Sequence, residues 1–215
     1  MTLAAYQAAF ARMVLSPTQC ARARSEGGAA FPRTDLSDCE RARLVHLARQ
    51  DGMRITCILA RANRLGALVG ALPLTCTLLK PELNALLDRY WDEQPMESLQ
   101  ALPAGLLFGR FLHDEIAAGR ITRAHAADVL RYERLRLELQ RAAHAGGTAP
   151  GDATLLRTLE FPGNPLPLFA ALTAGRPVSD TLTGGPTTLL LDFRHDPPRT
   201  SLILAGPPLP ATLAR

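Results

Sequence analysis

The sequence predicts a mainly α protein, a helical bundle over residues 1–145 followed by a linker, 146–152, and a small α+β domain with a short β-sheet, 153–215. Three observations carry this prediction. Apolar residues recur at three- and four-residue spacing through the first two thirds of the chain, the pattern that turns one face of a helix into a core. The run Ala145-Gly-Gly-Thr-Ala-Pro-Gly-Asp152 has the small, turn-forming composition of a connection. Beyond it, short apolar runs are bounded by Gly and Pro, as strands are. Aromatics are only 5% of the residues, so Leu and Ala fill most of the core, which favours helices over a large sheet.

Each element has its own signal. Leu3, Tyr6, Ala9, Phe10, Met13 and Val14 make the first amphipathic helix, 3–15, which Ser16-Pro17 ends. Residues 16–36 lack periodicity and contain Gly27-Gly28 and Pro32, so they read as an exposed connection. Ser37 caps the next helix, Glu40 completes a capping box, and Leu44, Val45 and Leu47 lie along it until Gly52 interrupts or bends it. From Met53 to Leu72 the positions Ile55, Ile58, Leu59, Ala62, Leu65 and Val69 form one stripe, read as the core face, and Arg54, Arg61 and Arg64 form another, read as a basic face.

Pro73 stops that helix and Pro81 fits the first turn of the next, which buries Leu83, Leu86, Leu87 and Tyr90 and ends at Pro95. Leu107, Phe108, Phe111, Leu112 and Ile116 mark a further helix, closed by Gly119. Val129, Tyr132, Leu135 and Leu139 mark another, 122–144. In the last domain, 155–161 is a strand and 165–174 a short helix closed by Gly175. Residues 187–193 and 201–205 are two strands of a hairpin around His195-Asp-Pro-Pro198.

The residue chemistry excludes several functions. Net charge is +4, and all of it lies before residue 146, where 19 basic residues face 15 acidic ones; the remainder holds five of each. Nucleic-acid domains are usually more lopsided. Every basic residue except Lys80 is Arg, which reads as genomic composition bias. Cys20, Cys39, Cys57 and Cys76 stand 18 or 19 positions apart, without the CxxC pairing of zinc sites, and are expected as free thiols. His46, His113, His125, His144 and His195 form no ligand spacing, so no metal site is expected. Nucleophile elbow, phosphate loop and dinucleotide fingerprint are all missing, and no catalytic residue is assigned. A hidden cysteine nucleophile ranks last among the readings. The N-terminus lacks the plan of a signal peptide and no apolar run nears ~18 residues, so a cytoplasmic protein with no membrane partner is expected.

The run from Arg43 to Leu112 resembles a known family through Asn63 in the long helix, Leu72-Pro73 at its end, Leu79, Leu83, Leu87, Tyr90-Trp91, Pro95, Phe108 and Phe111-Leu112. The family is that of the partner subunits of multinuclear non-haem iron oxidative enzymes that act on ribosomally synthesised, post-translationally modified peptides (RiPPs), including the smaller subunit of the methanobactin biosynthesis pair. The resemblance covers about a third of the chain. It implies a non-catalytic accessory protein, half of a heterodimer, that docks on the oxidase and captures the leader segment of a precursor peptide as an added strand. Modification would then fall on precursor cysteines. The sheet would have RiPP-recognition character, the iron would belong to the partner enzyme, and this chain would hold no cofactor.

On this reading the helical domain meets the oxidase through Arg54, Arg61, Arg64, Tyr90 and Trp91, and the peptide lies along Leu189, Leu191, Phe193, Ser201 and Ile203. The Pro-rich tail Gly206–Pro210 departs from the family layout, which has a further helix there. The alternative is a DNA-binding transcriptional regulator, the label some of these helical domains carry, with the arginine stripe against phosphates.

Overall fold

The computed structural model describes residues 3–32, 36–93, 101–146, 152–195 and 197–204. Among these the fold is mainly helical with a three-stranded antiparallel sheet near the C-terminus, as the periodicity predicts. Pro95, most of the predicted linker, Ala205 and the Pro-rich tail lie outside the described residues. The chain divides into two compact units, one of residues 1–70 with 80–104, the other of 71–79 with 105–215.

The first unit contains α1 (Leu3–Leu15), α2 (Pro17–Ser25), α3 (Asp38–Arg49), most of α4 (Asp51–Ala71) and α6 (Leu83–Glu93). Within the segment 16–36, expected as an exposed connection, the described residues instead form α2 followed by a 3-10 turn, Gly27–Ala30, and they bury Cys20, Ala23, Ala30 and Phe31. The physical reason is local. Ser16-Pro17 ends α1 and also starts a helix, because Ser16 Oγ accepts from the Gln19 amide at 3.2 Å and Pro17 supplies a fixed φ at the first helical position. The predicted capping box is present: Ser37 Oγ accepts from the Glu40 amide at 3.1 Å, and Glu40 Oε2 accepts from the Ser37 amide at 2.8 Å. Met13, Cys20, Ala23, Phe31, Leu44, Ala48 and Met53 form one core cluster here.

The second unit contains α5 (Pro73–Leu78), most of α7 (Ala101–Ala117), α8 (Ala126–Gly146), β1 (Leu156–Phe161), α9 (Leu166–Thr173), β2 (Thr187–Asp192) and β3 (Arg199–Leu204). Pro73 begins a short helix as well as ending α4. Gly105 is where α7 passes closest to its neighbours: a Cβ there would collide with the Ala71 side chain and lie 3.1 Å from Leu137 Cδ1. The strand order is β1-β2-β3, so β2 is central, with Leu159 opposite Leu189 and Leu189 opposite Leu202. One sheet face carries Leu159, Phe161, Leu189, Leu191 and Leu202, and it packs against Tyr132, Leu135 and Leu139 of α8 and Phe169 of α9. The Tyr132 and Phe169 rings stack at 4.5 Å, and Phe161 meets Phe169 edge-on at 5.9 Å.

Candidate functional site

In the first unit α4 sits opposite to the way its sequence reads. Ile55, Ile58 and Leu59, expected in the core, are 55%, 56% and 57% exposed, and Val69 is 38% exposed. Arg61 and Arg64, expected on a basic surface, turn inward. Their guanidinium carbons lie 4.9 Å and 4.7 Å from the centre of the Trp91 ring, which is itself buried. Arg61 Nη1 also donates to Asp88 Oδ1 at 2.5 Å, and Arg64 Nη1 donates to the Leu15 carbonyl at 3.0 Å. These contacts are what allow guanidinium groups to lie inward, since a buried charge survives only when paired and hydrogen-bonded. Just beyond Trp91, the Asp92 carboxylate accepts from Thr18 Oγ1 at 2.7 Å and Ser16 Oγ at 3.1 Å, at the positive N-terminal end of α2.

Of the residues assigned to partner docking, Arg54 therefore lies on the surface and Arg61 is partly covered, whereas Arg64, Tyr90 and Trp91 are interior. The surface that sequence reasoning missed is the apolar one of Ile55, Ile58 and Leu59. Its signal was available: α4 has apolar residues on nearly every side, and a helix of that kind is built to be covered all round. Contiguous exposed apolar groups on a surface helix mark interaction sites.

In the second unit, Leu189, Leu191 and Phe193 belong to the core, and β2 is hydrogen-bonded along both sides. They cannot present an edge to a peptide. Ser201 and Ile203 lie on β3, an edge strand, and among the described residues nothing pairs with its outer side. The edge at β1 is partly used, because the Arg131 guanidinium donates to the Glu160 carbonyl. With Thr188, Leu190 and Asp192 of β2, Arg199, Ser201 and Ile203 share the sheet face opposite the core. At the turn that leads into β3, Arg194 grips Asp192 by Nε at 2.8 Å and Nη2 at 2.6 Å, and this holds the Asp192 carboxyl well below the usual carboxylate range.

A groove of 440 Å³ along α8 is lined by His113, Arg131, Arg134 and Glu138, but its charges are matched within it: Arg131 pairs with Asp128 and Arg134 with Glu138. Among the described residues, no group of three or more His, Cys, Asp or Glu side chains is placed to hold a metal ion. No helix among them is long and apolar enough to cross a membrane. Comparison of the chain with protein-family models, with curated proteins and with solved structures finds no match.

Proposed function

We propose that this chain is a non-catalytic cytoplasmic partner protein that docks on a multinuclear non-haem iron oxidase through the outer face of α4 and holds the leader segment of a ribosomally made precursor peptide as a fourth strand against β3. The observation that carries the reading is the inverted α4, with arginines turned in and Ile55, Ile58 and Leu59 turned out. An apolar face on a long helix suits a protein partner and is of no use against phosphates. The outer side of β3, which nothing pairs with among the described residues, supports the peptide half, since a strand edge offers a row of main-chain donors and acceptors. The resemblance of residues 43–112 to partner subunits of iron oxidases points the same way. The DNA-binding alternative has less to stand on, because Arg61 and Arg64 are directed at Trp91 and Asp88 and only Arg54 of that stripe lies exposed.

Co-expression of a tagged chain with the iron oxidase and precursor from its own genomic neighbourhood tests the reading. The wild-type chain should retain both. The triple variant Ile55→Asp, Ile58→Asp, Leu59→Asp should keep its fold and its hold on the leader while its affinity for the oxidase drops at least about 100-fold. Retention of the oxidase by that variant, or of neither partner by the wild type, overturns the docking assignment.

Leader binding is tested on β3. Adjacent amides of a strand point to opposite sides, so of Thr200→Pro and Ser201→Pro one removes an amide paired with β2 and the other an amide on the free side. The variant whose circular dichroism and melting match the wild type should lose leader binding, and unchanged binding in that variant would rule out strand addition at β3.

A further inference from the structure

Glycine weakens a helix relative to alanine, so a glycine inside one calls for a packing reason. In α7 the reason is visible: a Cβ at Gly105 would collide with the Ala71 side chain, and one at Gly109 with the stem of Arg134. At Gly66 and Gly70 of α4 an added Cβ would meet nothing within 4 Å. Both lie on the exposed face of that helix. Steps of four and three residues carry the face from Ile55 through Leu59, Ala62 and Gly66 to Val69, the spacing that keeps one stripe turned toward a single partner helix. Its N-terminal half is bulky, with Ile55, Ile58 and Leu59 each more than half exposed. Its C-terminal half is small, with Gly66 and Gly70 on either side of Val69.

We propose that this face pairs with a second copy of the chain, α4 against α4 and antiparallel, about a two-fold axis beside Ala62. Antiparallel pairing lays Ile55, Ile58 and Leu59 of one copy on Gly66, Val69 and Gly70 of the other, and the symmetry repeats the fit at both ends of the seam. Parallel pairing would press the two bulky halves together and leave the glycine halves apart. None of the exposed positions from Ile55 to Gly70 is charged, which suits a self-contact, since a symmetric seam buries any charge close to its own copy. From Ile55 to Val69 the seam runs about 21 Å. One helix on another buries less than the roughly 1,200 Å² of a standard interface, so the dissociation constant is on the order of 10 µM. The inference uses the face assigned above to the oxidase without resting on that assignment. The two occupants exclude each other, and the self-pair covers the apolar stripe until a tighter partner displaces it.

The test is sedimentation velocity on the full-length chain alone, from about 1 to about 200 µM, a range that brackets that constant. The wild type should pass from monomer to dimer and stop there. Gly66→Leu should melt no lower than the wild type, since leucine is the better helix former, yet weaken the dimer at least about 10-fold, because it fills the space that Leu59 of the other copy enters. Leu59→Ala should weaken it as well. Together in one chain, the two substitutions exchange bulk and space across the seam, and the double variant should return to within about three-fold of the wild-type constant. A chain that stays monomeric at the highest concentration, assemblies larger than two, unchanged or tighter pairing in Gly66→Leu, or a double variant no tighter than either single would each overturn the proposal. The oxidase takes no part in this experiment, so its result stands whichever way the docking test comes out.

Discussion

Replacing Trp91 by alanine should destabilise the first unit by about 3–5 kcal/mol, the range for truncating a fully buried large aromatic side chain. Trp91 and Tyr90 are each 1% exposed. The tryptophan ring is also the surface on which two guanidinium groups rest, from Arg61 at 4.9 Å and Arg64 at 4.7 Å. Removing it leaves a cavity and strips the π face from Arg64, which is itself 5% exposed. The cost is therefore expected toward the upper end of that range. Urea denaturation followed by far-ultraviolet circular dichroism reads it, with amide exchange across α4 and α6 to place the loss in this unit. A change below about 1 kcal/mol would show that the arginine–tryptophan stack does not organise the helix packing, and with it would go the explanation for why α4 turns its apolar face outward.

The second large effect is expected at Glu133. This side chain is 1% exposed, and its two carboxylate oxygens accept from successive amides at the start of α5, Oε1 from Leu74 at 2.8 Å and Oε2 from Thr75 at 2.8 Å. A short helix beginning with Pro has no cap of its own, and Leu72 in the cap position offers no side-chain acceptor. Glu133 supplies one from α8. Glu133→Leu should cost about 2–6 kcal/mol, because two amides lose their acceptor inside the protein at about 1–3 kcal/mol each. Glu133→Gln should cost less, since one oxygen remains while the amide nitrogen places a donor against a donor.

The pH dependence has a definite sign. Burial raises the Glu133 carboxyl above its ordinary value of 4.5, against the lowering effect of its hydrogen bonds from Thr75 and Leu74 and of the Arg136 charge. A carboxyl raised in the folded state favours folding below its unfolded pKa, and this contribution is lost as pH rises through the folded value. Stability of the wild type relative to Glu133→Gln should therefore fall as pH rises from 4.5 through the raised value. A difference that grows over that interval would contradict the assignment. The same carboxyl adds to burial in pushing the neighbouring Cys76 thiol up to about 12, which leaves that cysteine unreactive at neutral pH.

Most of the helices and all three strands were legible from spacing alone. The capping box at Ser37, the breaks at Pro73 and Gly175, and the hairpin of β2 and β3 are written in local residue chemistry, which acts within a few positions and needs no tertiary partner. The segment 16–36 was missed because Ser-Pro ends one helix and starts another with the same two residues, and periodicity over nine residues of α2 is too short to tell.

What the sequence by itself determined is therefore the order and type of most of the elements, together with many of the places where they break, but not α2 or α5. Which face of α4 turns inward was not in it, since apolar side chains stand on both sides of that helix. Tertiary structure decided it by giving Arg61 and Arg64 a tryptophan face, an aspartate and a carbonyl to meet, which offset the cost of turning one guanidinium fully and the other partly away from water. The sheet follows the same rule. Alternation showed that Leu189 and Leu191 share a face, but only packing against α8 and α9 decided that these residues are core, and only the strand order placed β2 in the centre with β3 at an edge among the described residues.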